Sequence, residues 1–273
     1  MVKFTNNVYN NVVNGIVNVI YSSNKKEERW LVLLVIIGFI LRLVAALNMG
    51  VNADDMIYAS QSANIINTKL ISSYLHPPLF FYLTDFSYKI FGYTTLASRF
   101  FPLIAGTALI VVIFLTAKLF FNKKVALGAA FFATFSSFLI GNTFTEHTLV
   151  TFFFVFFGAY AGLSYLYGKG KNYLVLSATL FGLGLLTKYN DAFFILSFFL
   201  FSFYFLKSKK EKIFAKRNMN KIFLFFIIIL LFSLPFLLFN YFVYTEKGIM
   251  DYQFGKLFMP KEGVEINKAV AEL

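Results

Sequence analysis

The sequence predicts an all-α integral membrane protein, a bundle of about seven transmembrane helices. Three observations lead there. Only 14% of the 273 residues are charged and 59% are hydrophobic, whereas soluble domains carry about 25% charge. The mean hydropathy is +0.70, and several apolar stretches approach the roughly 20 residues needed to cross a bilayer core. Those stretches are continuous rather than alternating, which argues against a β-barrel. Zero cysteines exclude disulfides, thiolate metal sites and a cysteine nucleophile.

Residues 4–21 carry Phe4, Val8, Val12, Ile16 and Ile20 at fourfold spacing, with Asn over much of the remaining surface. That pattern reads as an amphipathic helix lying along the membrane, or as a loosely ordered tail. Residues 1–29 are too polar for a cleavable signal peptide. The expected spans are 30–47, 94–121, 125–142, 146–167, 172–187, 191–206 and 222–244. "TKYN" joins the fifth and sixth, which read either as a hairpin or as one kinked segment. Residues 77–91 add a shorter apolar stretch, an interfacial helix in the first long loop. The chain therefore divides into a cytoplasmic N-terminal segment (1–29), a transmembrane module (30–245) and a polar tail on the other side (246–273).

Loop charge sets the expected orientation. With the N-terminus inside, the inner loops collect sixteen of the 25 basic residues but only three of the 13 acids. A net charge of +12 is thereby read as cytoplasmic Lys and Arg, not as a nucleic-acid surface. The expectation is a multi-pass cell-membrane protein with its N-terminus cytoplasmic and its first long loop outside.

Four features then fall at the outer boundary: Asp54 and Asp55 after the first span, His76-Pro77-Pro78, Glu146-His147 at the fourth span, and Lys188 between the fifth and sixth. A charge at that depth is partly desolvated, which costs free energy unless a partner or ligand compensates. Each also has a plain structural reading. Asp55 suits the first turn of a helix, as do Glu146 and Asp191. His76 suits the turn that the proline pair imposes, and Lys188 suits snorkelling to the interface. Arg42 and Arg99, near the outer ends of the first two spans, are phosphate candidates; Arg99 equally suits a pairing with Asp54, Asp55 or Asp85. Asp54, Asp55, Glu146 and His147 together also suit an oxygen-rich divalent-metal site.

Five segments in this order, "ADDMIYA" (53–59), "HPPLFFYL" (76–83), "FGYTTLASRFFPLIAG" (91–106), "TEHTLVTFF" (145–153) and "GLGLLTKY" (182–189), resemble the membrane module of GT-C glycosyltransferases. The resemblance is to glycosyltransferase family 39, the protein O-mannosyltransferases, and to the similar aminoarabinose transferases of lipid A, over roughly residues 30–245. It implies inverting sugar transfer from a polyprenyl-phosphate donor, outside the cytoplasm, to a hydroxyl of a protein, lipid or glycan acceptor. By this resemblance Asp54 is the general base, Asp55 stands where the family has Glu, and Glu146 matches a third catalytic acid. Lys188, His76 and Arg99 match positions near the donor phosphate. Family 39 enzymes generally need no catalytic metal, so no cofactor is expected, with the divalent site as the alternative. Relatives usually run longer, which leaves open a truncated or non-catalytic relative, or a separately encoded partner subunit. The absence of a P-loop or Rossmann fingerprint fits a lipid-linked donor better than a nucleotide sugar.

The chemistry of the residues agrees. A carboxylate held within about 3 Å of an acceptor hydroxyl removes its proton as the new bond forms. A phosphate leaving group needs positive charge rather than an acid. A transporter or lipid-handling protein is the competing class. Its charges would be expected near the midplane of repeated halves, whereas here they cluster at one face and no internal repeat is evident.

Overall fold

The computed structural model describes residues 25–65, 76–208, 216–248 and 250–258. The expected amphipathic stripe over 4–21 and residues 259–273 of the tail lie outside them. Every described element is helical. In chain order these are α1 (Lys25–Asn48), α2 (Ala53–Asn64), α3 (Leu79–Phe91), α4 (Thr95–Phe120), α5 (Lys123–Phe135), α6 (Ser137–Gly141), α7 (Thr148–Leu166), α8 (Lys171–Leu185), α9 (Asp191–Ser208), α10 (Lys216–Lys247) and α11 (Tyr252–Phe258).

Among the described residues, five helices are long and apolar enough to cross a membrane: Glu27–Asn48 of α1, α4, α7, α9 and Met219–Lys247 of α10. They correspond to five of the seven expected spans. The expected span 125–142 is broken in two, because Ser136 adopts extended backbone (φ −62°, ψ 114°) and its hydroxyl caps α6 by accepting from Leu139 N. The expected span 172–187 is the 15-residue α8, about 22 Å long at 1.5 Å per residue. The α5–α6 pair and α8 run between the same two ends of the bundle as the longer helices. At one end Lys123 Nζ lies 3.6 Å from Glu27 Oε2; at the other, Thr145 N donates to Asp55 at 2.6 Å. Pro102 and Pro235 sit inside α4 and α10, as transmembrane helices tolerate.

Among the described residues, three apolar clusters bind the helices. Leu31, Leu34, Ile110, Phe114, Ala126 and Ala130 join α1, α4 and α5. Val155, Ala178, Phe181, Ile195, Phe225 and Phe236 join α7 to α10. The third cluster, with Tyr58, Phe80, Phe81, Leu109 and Leu149, lies beneath α2 and α3. Close approaches use small residues, as membrane interfaces do: Ser177 Oγ donates to Gly158 O at 2.8 Å. Large apolar side chains such as Phe132, Phe193 and Phe223 face outward, an arrangement that suits lipid and not water.

Arg42 takes part in the packing. It is fully buried on α1, and its guanidinium donates to Ala133 O and to Gly38 O, both at 3.0 Å. Ala133 lies in the last turn of α5, whose carbonyls have no intrahelical donor. The break at Ser136 thus creates the demand that Arg42 meets, and the expectation of Arg42 as a phosphate ligand gives way to a structural role.

Candidate functional site

The loop before α2 ends in a capping box. Asp55 N donates to Asn52 Oδ1 at 2.7 Å, and Asn52 N donates to Asp55 Oδ2 at 3.3 Å. This fixes the first turn of α2, with Asp55 turned inward and buried and Asp54 turned outward and exposed. Two adjacent acids therefore have different surroundings.

Asp55 is fully engaged. Its Oδ2 accepts from Arg99 Nη2 at 2.8 Å, and its Oδ1 accepts from Thr145 N at 2.6 Å. Arg99, also buried, spends its other donors on Ala46 O and Met49 O (2.9 Å each) and Gly50 O (3.0 Å). Burial by itself would push the Asp55 carboxyl up. The hydrogen bonds from Arg99, Thr145 and Asn52 outweigh it and hold the group below the usual carboxylate range. Asp55 and Arg99, expected as a catalytic acid and a phosphate ligand, are instead committed to each other and to the backbone. Of the three carboxylates expected for Arg99, the structure selects Asp55; Asp85 pairs with Lys89 at 3.0 Å.

Beside this clamp lies an aromatic–imidazole cluster. Tyr58, one turn after Asp54, has its hydroxyl 3.1 Å from His76 Nε2 in a hydrogen bond. The rings of His76 and His147 are 4.4 Å apart, and those of Tyr58 and His147 5.2 Å apart. The cluster gathers three distant segments, and just after His76 the chain is held by Leu79 N, which donates to Leu186 O at 2.9 Å. That bond docks the His-Pro-Pro turn on the end of α8. Burial, reinforced by the charges of Lys188 and Lys256, lowers His76 to about 3. His76 was expected as a phosphate-binding cation; here it is a neutral hydrogen-bonding group, and its Nδ1 has no partner.

Charges of both signs border the cluster. Burial raises the Tyr58 hydroxyl above its ordinary range, and the negative charges of Asp54 and Glu146 add to that. Glu146 is half-buried and accepts a 2.6 Å hydrogen bond from Thr148 Oγ1. The cations that act on His76 are Lys188, half-buried, and Lys256, exposed, its ammonium 4.0 Å from the Tyr252 ring centroid. Among the described residues, no three His, Asp or Glu side chains gather as a metal site. Arg99 already occupies Asp55, one of the four ligands that the metal reading required.

Next to Lys188, Tyr189 opens an apolar groove of about 600 Å³, walled by Leu185, Ala192, Ile227, Phe236 and Phe254. Its roof is α11, fastened through the buried Asp251, which accepts from Tyr189 Oη at 2.5 Å, Asn240 Nδ2 at 2.6 Å and Phe254 N at 2.9 Å. Sequence reasoning read residues 246–273 as a polar tail and so missed Asp251 and Lys256. It also passed over Tyr58, although the i, i+4 spacing from Asp54 places the two on one helix face.

Residues 75–239, more than half of the chain, match the family described as dolichyl-phosphate-mannose-protein mannosyltransferases. The chain belongs to this family. No curated protein matches it. Among solved structures, the apo oligosaccharyltransferase of Archaeoglobus fulgidus is similar at 20% identity and a TM-score of 0.62, over 80% of this chain and 30% of that one. The archaeal oligosaccharyltransferase AglB from the same organism, in complex with an inhibitory peptide and a dolichol-phosphate, is similar at 19% identity and a TM-score of 0.61, over 90% of this chain and 33% of that one. The mannosyltransferase-family chain thus spans about a third of the length of these solved relatives. At such identities the likeness establishes the fold, the GT-C membrane bundle, and the family match agrees with it.

Proposed function

We propose that this chain is a membrane glycosyltransferase that moves a sugar from a polyprenyl-phosphate donor to an acceptor hydroxyl, with inversion, on the extracytoplasmic side. One observation carries the reading: Tyr58, which feels the charges of Asp54 and Glu146, is hydrogen-bonded to His76, which feels those of Lys188 and Lys256, so two acids and two cations border one cluster. Asp54 is the exposed carboxylate of the two adjacent acids and is left to act as the general base. It takes the acceptor hydroxyl's proton as that oxygen attacks the anomeric carbon. The bond from that carbon to the phosphate oxygen breaks, and its electron pair leaves with the polyprenyl phosphate. Lys188, supported by Lys256, stabilises that charge. Glu146 contributes a second carboxylate on the acceptor side. His76 offers a neutral hydrogen bond.

The apolar groove beside Lys188 suits the donor's prenyl chain. The family's description names dolichyl-phosphate-mannose and protein, which makes polyprenyl-phosphate mannose the first donor to try and a Ser- or Thr-containing peptide the first acceptor. The basic residues near Glu27, at the opposite end of the bundle, favour placing the cluster outside.

The test is transfer of radiolabelled mannose by purified Asp54→Asn and wild-type protein. Transfer by the wild type, loss of at least about a hundredfold in Asp54→Asn and an unchanged melting temperature are expected. Full turnover by Asp54→Asn would exclude the proposed base. Lipid flipping in proteoliposomes without a glycosidic product would replace the reading with a lipid-handling one.

A further inference from the structure

At the end of the bundle away from the Asp54 cluster, α7 to α10 enclose a second cavity, of about 340 Å³, within the roughly 300–1,000 Å³ range of ligand pockets. Its walls are apolar, with Phe198 and Phe203 from α9 and Phe225 and Phe226 from α10, and Ser202 projects among them. Its rim is basic. Lys221 stands 5.5 Å from the Tyr165 ring centroid, and Lys171 lines the cavity from the start of α8. Gly168 (φ 85°) and Gly170 (φ 115°) occupy the left-handed region that favours glycine. They turn the chain sharply enough to bring Lys171 to this rim.

Two facts narrow the occupant. Among the described residues, neither Lys171 nor Lys221 is within salt-bridge distance of a carboxylate. Lys118, Lys123, Lys124 and Lys169 lie at the same end, where Glu27 is engaged with Lys123. The cavity therefore offers a positive rim to an anion. In addition, only Asp191 and Ile195 of α9 are buried, so the wall it forms is loosely packed and borders the membrane. Molecules with an anionic head and an apolar tail reach such a place from the bilayer itself. Basic pockets between transmembrane helices recognise anionic lipid head groups in this way.

We infer that this cavity is a binding site for an anionic glycerophospholipid of the surrounding membrane, with the phosphate between Lys171 and Lys221 and one acyl chain among the phenylalanines. Phe226 lines both this cavity and the apolar groove proposed for the donor, but the basic rim of Lys171 and Lys221 belongs to this cavity alone, and its occupancy does not depend on glycosyl transfer. The lipid would fill the gap between α9 and its neighbours.

Native mass spectrometry of the full chain, delipidated and then exposed to phosphatidylglycerol or to phosphatidylcholine of identical chains, tests the inference. The wild type is expected to retain one phosphatidylglycerol with a preference on the order of tenfold. The Lys171→Gln/Lys221→Gln pair loses the preference, the Lys171→Arg/Lys221→Arg pair keeps it, and Ser202→Trp, which fills the cavity, retains neither lipid. Equal retention of the two lipids by the wild type overturns the inference, as does an unaltered preference in the Gln pair. Loss in the Arg pair as large as in the Gln pair would trace the effect to folding and overturn it too. Displacement of phosphatidylglycerol from the wild type by stoichiometric polyprenyl phosphate would reassign the cavity to the donor.

Discussion

Arg99 on α4 and Asp55 on α2, 44 positions apart in the chain, meet at 2.8 Å with neither exposed to solvent. Removing one partner leaves the other charge buried and uncompensated, which typically costs about 3–5 kcal/mol. Arg99→Leu and Asp55→Asn are each expected to lower the melting temperature in detergent sharply. Arg99→Lys is not expected to rescue, because one ammonium cannot serve three carbonyls and a carboxylate with the geometry of a guanidinium. Asp54→Asn, one residue away, leaves the melting temperature unchanged.

Arg42 holds the frayed end of α5. Its replacement by Met keeps the apolar stem but leaves the buried Ala133 O without its donor. The expected loss is at least about 2 kcal/mol, read as a lower melting temperature. Faster hydrogen exchange is expected at the α5–α6 junction.

Gly182 faces Phe232 on α10. A Cβ there would lie 2.8 Å from Phe232 Cβ and 2.9 Å from its ring, and a side chain cannot swing away from its own Cβ. Overpacking costs about 1–3 kcal/mol, against a gain of about 1 kcal/mol in helix propensity. Gly182→Ala is therefore expected to destabilise the chain by up to about 2 kcal/mol. Phe232→Leu keeps the clashing Cβ and Cγ and should recover little of that loss in a thermal melt.

His76 couples stability to pH. Its imidazole binds a proton only near pH 3 in the folded chain, against 6.5 ordinarily. Between these values the unfolded chain holds the extra proton, so His76's contribution is intact above about pH 6.5 and is lost as pH falls. The melting temperature is expected to drop between pH 7 and pH 5, and His76→Gln should flatten that dependence. A profile as steep in His76→Gln as in the wild type would show that other groups control it. Lys188, Lys256, His147 and Tyr58 surround the ring and would be the next to test.

Tyr189→Phe removes one donor from Asp251 and loosens α11. A loss of about 1 kcal/mol is expected, visible as faster hydrogen exchange across Tyr252–Phe258. Because α11 roofs the groove proposed for the donor, KM for the polyprenyl donor is expected to rise more than kcat falls.

Much of the bundle was legible in the sequence because membrane helices obey a length and hydropathy rule that local reading captures. α1, α4, α7, α9 and α10 follow it. α5–α6 departs from it at Ser136, a residue whose hydroxyl serves as a helix cap, a choice that hydropathy does not register. In the site, the sequence placed Asp54, His76, Glu146 and Lys188 at expected helix ends. The roles of Asp55 and Arg99 were illegible, since their pairing joins segments 44 residues apart.

By itself, the sequence determined an all-helical membrane chain and the order of its polar segments, along with the concentration of lysines in alternate loops. These follow from composition and short-range pattern, since a backbone in lipid must satisfy its own hydrogen bonds. Only the tertiary structure decided which of two adjacent acids is free and which is clamped. It also decided that His76 is neutral, and that Lys256 returns from the far end of the chain to the site. Burial and partner geometry set those properties, and both depend on contacts between residues that the chain order keeps apart.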